Sequence, residues 1–342
     1  MIFLLDATRG LGNSLLVNFN ITFFVSGPDT LITDIPANPG PEERAYIVIK
    51  TIIASIVFKY INFSMIIWIA SYPKSGNTWV RSLLASYYFS DDGKFDFNLL
   101  KNIKQFPSKN FFNKKIQSID EAAKNWLIVQ RRIQNTNKAR FLKTHNVYGA
   151  YKGMHFTTPE FTLGAIIIVR DPRNVITSLM NHYSINEEGA LEMIKSVYRN
   201  LKDKNDLDNY ASYSFISSWE NNYKSWKNSN IQNKLIIKYE DLEKNTTNTF
   251  ETIISFTNKL MTGEKQIDKN KLNNSVETTN FEKMKKMEEK FGFEEASYTA
   301  DGKKITFFNL GKENNYKKLL SSKVIKEIEK LFEKEMKNLK YL

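Results

Sequence analysis

From residue 65 onward, short apolar runs alternate with longer stretches whose apolar positions recur every three or four residues. Met65 to Ala70 is apolar throughout and reads as a buried strand; from Thr78, Val80, Leu83 and Leu84 follow at helical spacing. Ala139 to His145 (ARFLKTH) is a short strand candidate that ends in polar groups, and Ile166 to Val169 is a β-branched run suited to a buried parallel strand. Asp171 and Pro172 stop that run, and Asn174 onward is helical. Helical patterns also cover Ile119 to Ala139, Trp219 to Trp226, Asp241 to Leu260 and Val324 to Leu339, with a strand, KLIIKY, at Lys234 to Tyr239. Asp91 to Asn113 has no clear period and reads as loop with short helical pieces. Strands alternating with helices predict an α/β chain with a central parallel sheet flanked by helices, in three layers.

Residues 1–64 fit this grammar poorly. They lack the basic start and clean apolar centre of a secretory signal. The apolar region Ala45 to Ala70 is interrupted by Lys50 and Lys59, which leaves it too short for a spanning helix and keeps a membrane-surface helix open. Met65 stands immediately before the first clear strand, so residues 1–64 are read as an extension of unknown role, or as lying upstream of the true start.

The 342 residues are 42% hydrophobic and 25% charged, a globular balance with ample core. Residues 1–64 carry four basic and five acidic groups, so the net charge of +12 belongs entirely to the remainder. Such a charge favours polyanions, whether nucleotide, nucleic acid, acidic glycan or anionic lipid, without selecting among them. The absence of cysteine excludes disulfides, thiol nucleophiles and thiolate-held metal.

The first strand and helix are joined by SYPKSGNTW, Ser71 to Trp79. At such a junction the unpaired N–H groups of the first helical turn and the helix dipole favour a bound phosphate, Gly76 admits close backbone approach, and Lys74 adds a full charge. Lys74 precedes Gly76, so a Walker A loop, with its GK[ST] order, is not matched. The segment resembles the 5′-phosphosulfate-binding loop of the sulfotransferase family, YPKSGTTW; Asn77 is the one departure. Arg170, Asp171 and Pro172, followed by Ser178, resemble the family's 3′-phosphate segment; an alternative reading of Asp171 as a Walker B carboxylate is weakened by the intervening Arg170. Lys143-Thr144-His145 resembles the KTH segment, and Tyr239 to Leu242 the YEDL element. Phe307 to Ser321 resembles a diverged FFRKGxxGDWKNxxT, with Gly311, Lys317 and Ser321 aligned, but Asn309 and Leu310 stand where Arg-Lys is expected.

The resemblance spans Met65 to the C-terminus and implies a P-loop-like sulfotransferase domain over residues 65–342. Its sulfuryl donor would be 3′-phosphoadenosine 5′-phosphosulfate, with no metal. It implies that Lys74, Ser75, Gly76, Asn77 and Thr78 hold the 5′-phosphate, that Arg170 and Ser178 hold the 3′-phosphate, and that Trp79 and Phe281 sandwich the adenine. Tyr239, Gly311 and Lys312 join the cofactor set, though packing and helix capping is the plainer role for the YEDL element, and Lys312 stands in for the missing cations. Lys74 and Lys143 would stabilise charge on the transferring group, while His145 would deprotonate the acceptor. His182 is the decoy, in the helix after the second loop, and His155 has no motif around it. The acceptor, a hydroxyl or amine of a small molecule, glycan or lipid, is not readable, and neither is the oligomeric state. No specific nucleic acid is expected; a cytoplasmic location is, with weak membrane contact through residues 1–64 held open. The competing readings are a Mg-dependent kinase and a non-enzymatic basic protein that binds membranes or polyanions.

Overall fold

The computed structural model describes residues 66–342 apart from 135–138, 204–205, 300 and the side chains of 134 and 312, and before them only Gly40 and two strands. The chain divides into two compact units, Met1–Ile61 and Asn62–Leu342. In the first, β1 (Ile2–Ala7) and β2 (Phe19–Phe24) pair antiparallel. The part of the apolar region Ala45 to Ala70 that precedes residue 66, where a membrane-surface helix was considered, lies outside the described residues. Among the described residues no helix is long and apolar enough to cross a membrane.

The second unit is built on β3 (Ile66–Ser71), β4 (Arg140–Thr144), β5 (Thr162–Val169) and β6 (Lys234–Lys238). They form one sheet in the order β6-β5-β3-β4, every neighbouring pair parallel. The alternation of side chains along a strand divides the core. Ile66, Trp68 and Ala70 of β3 join Ala165, Ile167 and Val169 of β5 on one face, while Ile67, Ile69, Ile166 and Ile168 face the other. This two-sided burial accounts for unbroken apolar runs where a half-exposed strand would alternate.

Helices cover both faces. α1 (Asn77–Phe89) follows β3, and α2 (Ile119–Gln134) precedes β4; α3 (Pro172–Tyr183) and α4 (Glu187–Lys195) follow β5, and α5 (Trp219–Lys227) leads to β6. Beyond β6 come α6 (Tyr239–Lys244), α7 (Thr246–Thr262), α8 (Lys269–Thr278) and α9 (Phe281–Phe291), then α10 (Ser322–Leu331) and α11 (Glu333–Asn338). The stretch 91–113 holds two short 3₁₀ turns, Phe97–Asn102 and Lys109–Phe111.

Two expected helices are each broken once. Asn245, with φ −146°, ends α6 and caps α7 by accepting from the N–H of Asn248. Phe332, with φ −112° and ψ 20°, interrupts the C-terminal pattern, and its ring packs on Trp219 with centroids 5.1 Å apart. The lysine- and asparagine-rich stretch 265–274 enters α8, where Leu272 and Ser275 are buried while Lys269, Asn270 and Asn273 stay exposed.

From β3 the chain steps to β4 on one side and then returns to β5 on the other. The gap between the carboxyl ends of β3 and β5 is therefore a topological switch point, where parallel sheets open a crevice.

Candidate active site

Each of the four parallel strands hands one sequence-predicted element to the same edge of the sheet. Lys74 follows β3, His145 follows β4, Arg170 follows β5 and Tyr239 follows β6, and all four line one cavity of about 460 Å³.

The loop after β3 turns sharply. Lys74 has φ 66° and Gly76 φ 98°, and α1 then begins with no side-chain cap and no acidic residue in its first turn. Helices α3, α5 and α7, by contrast, are capped by Asp171, Ser218 and Asn245. The leading N–H groups of α1 are thus left for a ligand. A Cβ on Gly76 would stand 2.5 Å from Cδ2 of Tyr239, so this position is closed to side chains by space as well as by backbone angle. Asn77, the departure from the family pattern, is buried and ties the loop to β3: its amide donates to the Ile69 carbonyl (3.0 Å) and to Ser71 Oγ (3.1 Å). Thr78 and Trp79 line the cavity, whereas Ser75 is buried outside its lining, with a hydroxyl that has no partner.

Lys74 points its ammonium at the Phe307 ring, 3.9 Å from the centroid. Burial lowers it from the usual lysine value to about 7; Glu295 opposes the shift, and Arg170 and Lys143 add to it. His145 lies beside the same strand end. Its Nδ1–H donates to the Ser71 carbonyl at 2.8 Å, which leaves Nε2 as the bare, accepting nitrogen. Burial and the neighbouring Lys143 charge push its pKa down to about 3, only partly offset by the Ser71 carbonyl, so the ring stays neutral across ordinary pH.

Arg170 spans the gap between the two loops. Its Nη1 donates to the Lys74 carbonyl at 3.1 Å, and its guanidinium lies over Tyr239, 4.0 Å from the ring centroid. Tyr239 therefore packs under Arg170 and against Gly76 besides lining the cavity. Ser178 lines the wall nearly two helical turns into α3. Asp171 caps α3 and is committed to Arg173, which meets its carboxylate at 2.7 Å and also bonds Glu329 and the Tyr341 carbonyl at 2.8 Å. A carboxylate held in this way offers little to a cation, and among the described residues no cluster of His, Asp or Glu suits a metal.

Phe281, at the start of α9, and Gly311 meet across the cavity: a Cβ on Gly311, where φ is 52°, would stand 2.6 Å from the Phe281 ring. Buried Glu288 accepts from the N–H groups of Phe307 (2.8 Å) and Phe308 (2.9 Å), fixing the segment that brings Asn309, Leu310 and Gly311 to the wall. The side chain of Lys312 lies outside the described residues. His182 is also on the wall, bonded to Ser297 Oγ at 3.0 Å, while His155 is exposed on a two-residue strand.

Several cavity residues carry no signal in the sequence. The Asn314 amide meets Thr177, and Asn181 bonds Asn309, the residue that stands where an arginine was expected, at 2.7 Å. Glu295 reaches in to meet Thr78, Arg81 and Lys143. Arg81 could have been found by its spacing, three residues after Thr78 on one helix. Glu295 belongs to a segment without motif or period.

Residues 65–340 match the sulfotransferase domain family. A flavonol 3-sulfotransferase of Flaveria bidentis is 22% identical over 277 residues, covering 79% of this chain and 81% of its own. A luciferin sulfotransferase of Photinus pyralis is 24% identical over 237 residues, covering 64% of this chain and 56% of that protein. Among solved structures, mouse sulfotransferase SULT7A1 complexed with PAP is similar at 17% identity and a TM-score of 0.48, covering 81% of this chain and 86% of that one. With four-fifths of its length matched from β3 to the end of α11, this chain belongs to the sulfotransferase domain family.

Proposed function

We propose that the chain transfers a sulfuryl group from 3′-phosphoadenosine 5′-phosphosulfate to a hydroxyl of a small-molecule acceptor, through residues 65–342, with residues 1–64 as an extension. The observation that carries this reading is the meeting of two phosphate-type loops, from β3 and β5, on one cavity, with Arg170 bonded to the backbone of Lys74. The cavity suits the group: the open N-terminus of α1, two cations at its edge, and buried polar atoms without protein partners, Trp79 Nε1 and Arg170 Nε.

The donor supplies an activated sulfur whose leaving group is a phosphate. The N–H groups at positions 75–78 bind its 5′-phosphate, and Lys74 stabilises the charge that grows on the leaving oxygen. Arg170 and Ser178 hold the 3′-phosphate, and Trp79 and Phe281 flank the base. Lys143 faces the sulfuryl oxygens. In this reading the acceptor oxygen would bond to sulfur as the bond from sulfur to the bridging phosphate oxygen breaks, and Nε2 of His145 would take the hydroxyl proton. Fixed cations and N–H groups supply charge stabilisation throughout. Gln105, Tyr183 and Leu201 line the cavity as well, a mixed aromatic and polar wall suited to a hydroxylated ring; the relatives named above are sulfotransferases of a flavonol and of a luciferin.

Calorimetric titration with adenosine 3′,5′-bisphosphate, followed by labelled-sulfate transfer to a panel of phenols, flavonoids, sugars and sterols, tests the reading. Saturable binding with transfer to a phenol is expected. Failure to bind the bisphosphate would refute it.

A further inference from the structure

The Glu295 carboxylate sits inside the cavity among three donors. Oε2 accepts from Thr78 Oγ1 at 2.9 Å, and Oε1 accepts from Lys143 Nζ at 3.0 Å and from the Arg81 guanidinium. The Lys143 and Arg81 side chains are each only 6% exposed, and Arg81 Nε has no partner. Arg81 is aimed by the Leu100 and Ile103 carbonyls, which accept from Nη2 at 3.4 and 3.0 Å. A hydroxyl, an ammonium and a guanidinium converging on two oxygens satisfy a carboxylate and would satisfy sulfate or phosphate oxygens in the same way. Thr78 and Lys143 are donor residues in the function proposed above, on which this inference rests; Glu295 and a bound donor cannot both hold them.

We propose that Thr78, Arg81 and Lys143 form one anion subsite that Glu295 fills until the sulfuryl end of the donor displaces it. Arg81 is then a donor-binding residue and Glu295 an internal competitor of the donor.

The electrostatics support an exchange of one anion for another. Burial by itself would raise the Glu295 carboxyl, yet Lys143 and Arg81 outweigh it and hold the group well below the usual carboxylate range. Without any anion, two buried cations would face each other with Lys74 nearby, a costly arrangement. Glu295 neutralises them before the donor arrives and returns as the product leaves. The segment that carries it has a hinge at its root: Gly292, with φ 76°, ends α9, and the chain runs on to the short strand Ser297–Tyr298.

The test uses the full chain and three variants, Glu295→Gln, Glu295→Ala and Glu294→Gln, the last an exposed neighbour with the same change of charge. Each is titrated with inorganic sulfate and, separately, with adenosine 3′,5′-bisphosphate. Sulfate should bind both Glu295 variants at least about tenfold tighter than it binds the unaltered chain, and Glu294→Gln should match the unaltered chain. Equal sulfate affinity in all proteins, or an equal gain in Glu294→Gln, overturns the proposal. The bisphosphate reports on the donor reading independently: if it binds nowhere while sulfate still distinguishes the variants, the subsite stands and the donor reading falls.

Discussion

Lys74→Arg keeps a positive charge in the loop after β3 but removes a titration. Burial brings Lys74 down to about 7, so above that pH much of the unliganded protein carries it neutral. A phosphate bound beside it favours the ammonium, and nucleotide binding must then take up a proton. The sign follows from linkage: affinity falls as pH rises above the free-state value. With a free pKa of about 7 and an ammonium that stays charged throughout this range once the phosphate is bound, the dissociation constant should weaken by about fiftyfold between pH 7 and pH 9. At pH 8, uptake at this group should approach about 0.9 proton per nucleotide. Phosphate oxygens lose their last proton near pH 6, so they contribute little there. Arginine stays charged throughout, so Lys74→Arg should lose the Lys74 share and flatten most of the pH dependence. Calorimetric titrations with adenosine 3′,5′-bisphosphate in buffers of different ionisation enthalpy read both quantities. Identical proton uptake in Lys74→Arg and the unaltered chain would refute the assignment of Lys74 to the phosphate.

His145→Ala should lower turnover by about 10²- to 10⁴-fold and leave nucleotide affinity essentially unchanged, in initial-rate and calorimetric measurements. Gly76→Ala forces a Cβ against Tyr239 at a left-handed position, which costs about 1–2 kcal/mol for the backbone alone; a lower melting temperature and weakened nucleotide binding are expected. Asn309→Arg combined with Leu310→Lys should tighten adenosine 3′,5′-bisphosphate by about tenfold or more while leaving adenosine 5′-monophosphate little changed, because each charge-assisted phosphate contact is worth roughly 1.5–3 kcal/mol. Expression from Met65 should yield a protein that binds the bisphosphate like the full chain; insolubility or lost binding would show that residues 1–64 are needed.

The strands were legible because burial on both faces leaves an unmistakable apolar run, as at Ile166 to Val169. The loops were legible because a phosphate-type turn needs particular residues in a particular order, and Lys74, Gly76, Arg170 and Ser178 all reach one cavity. Helix breaks were hidden: nothing in the local period announces the turn at Phe332, whose ring packs on the distant Trp219. Glu295 was hidden for a similar reason, since its partners Thr78 and Lys143 lie more than 150 residues earlier in the chain and only the tertiary fold brings them together. His182 marks the limit of reading by motif. It reaches the cavity wall as His145 does, and what separates them is that Nδ1 of His145 donates to a backbone carbonyl, which leaves Nε2 to accept a proton, while Ser297 engages the His182 ring.

Arg173 ties the turn after β5 to the far end of the chain, through Glu329 and the backbone of Tyr341. On the ribosome the sheet strands emerge long before that end does. The bend bearing Arg170 is thus spelled out well before Glu329 and Tyr341, which brace it through Arg173, have been made. A nascent chain would have all four strands before that brace, and a product that stops short of Glu329 would lack it.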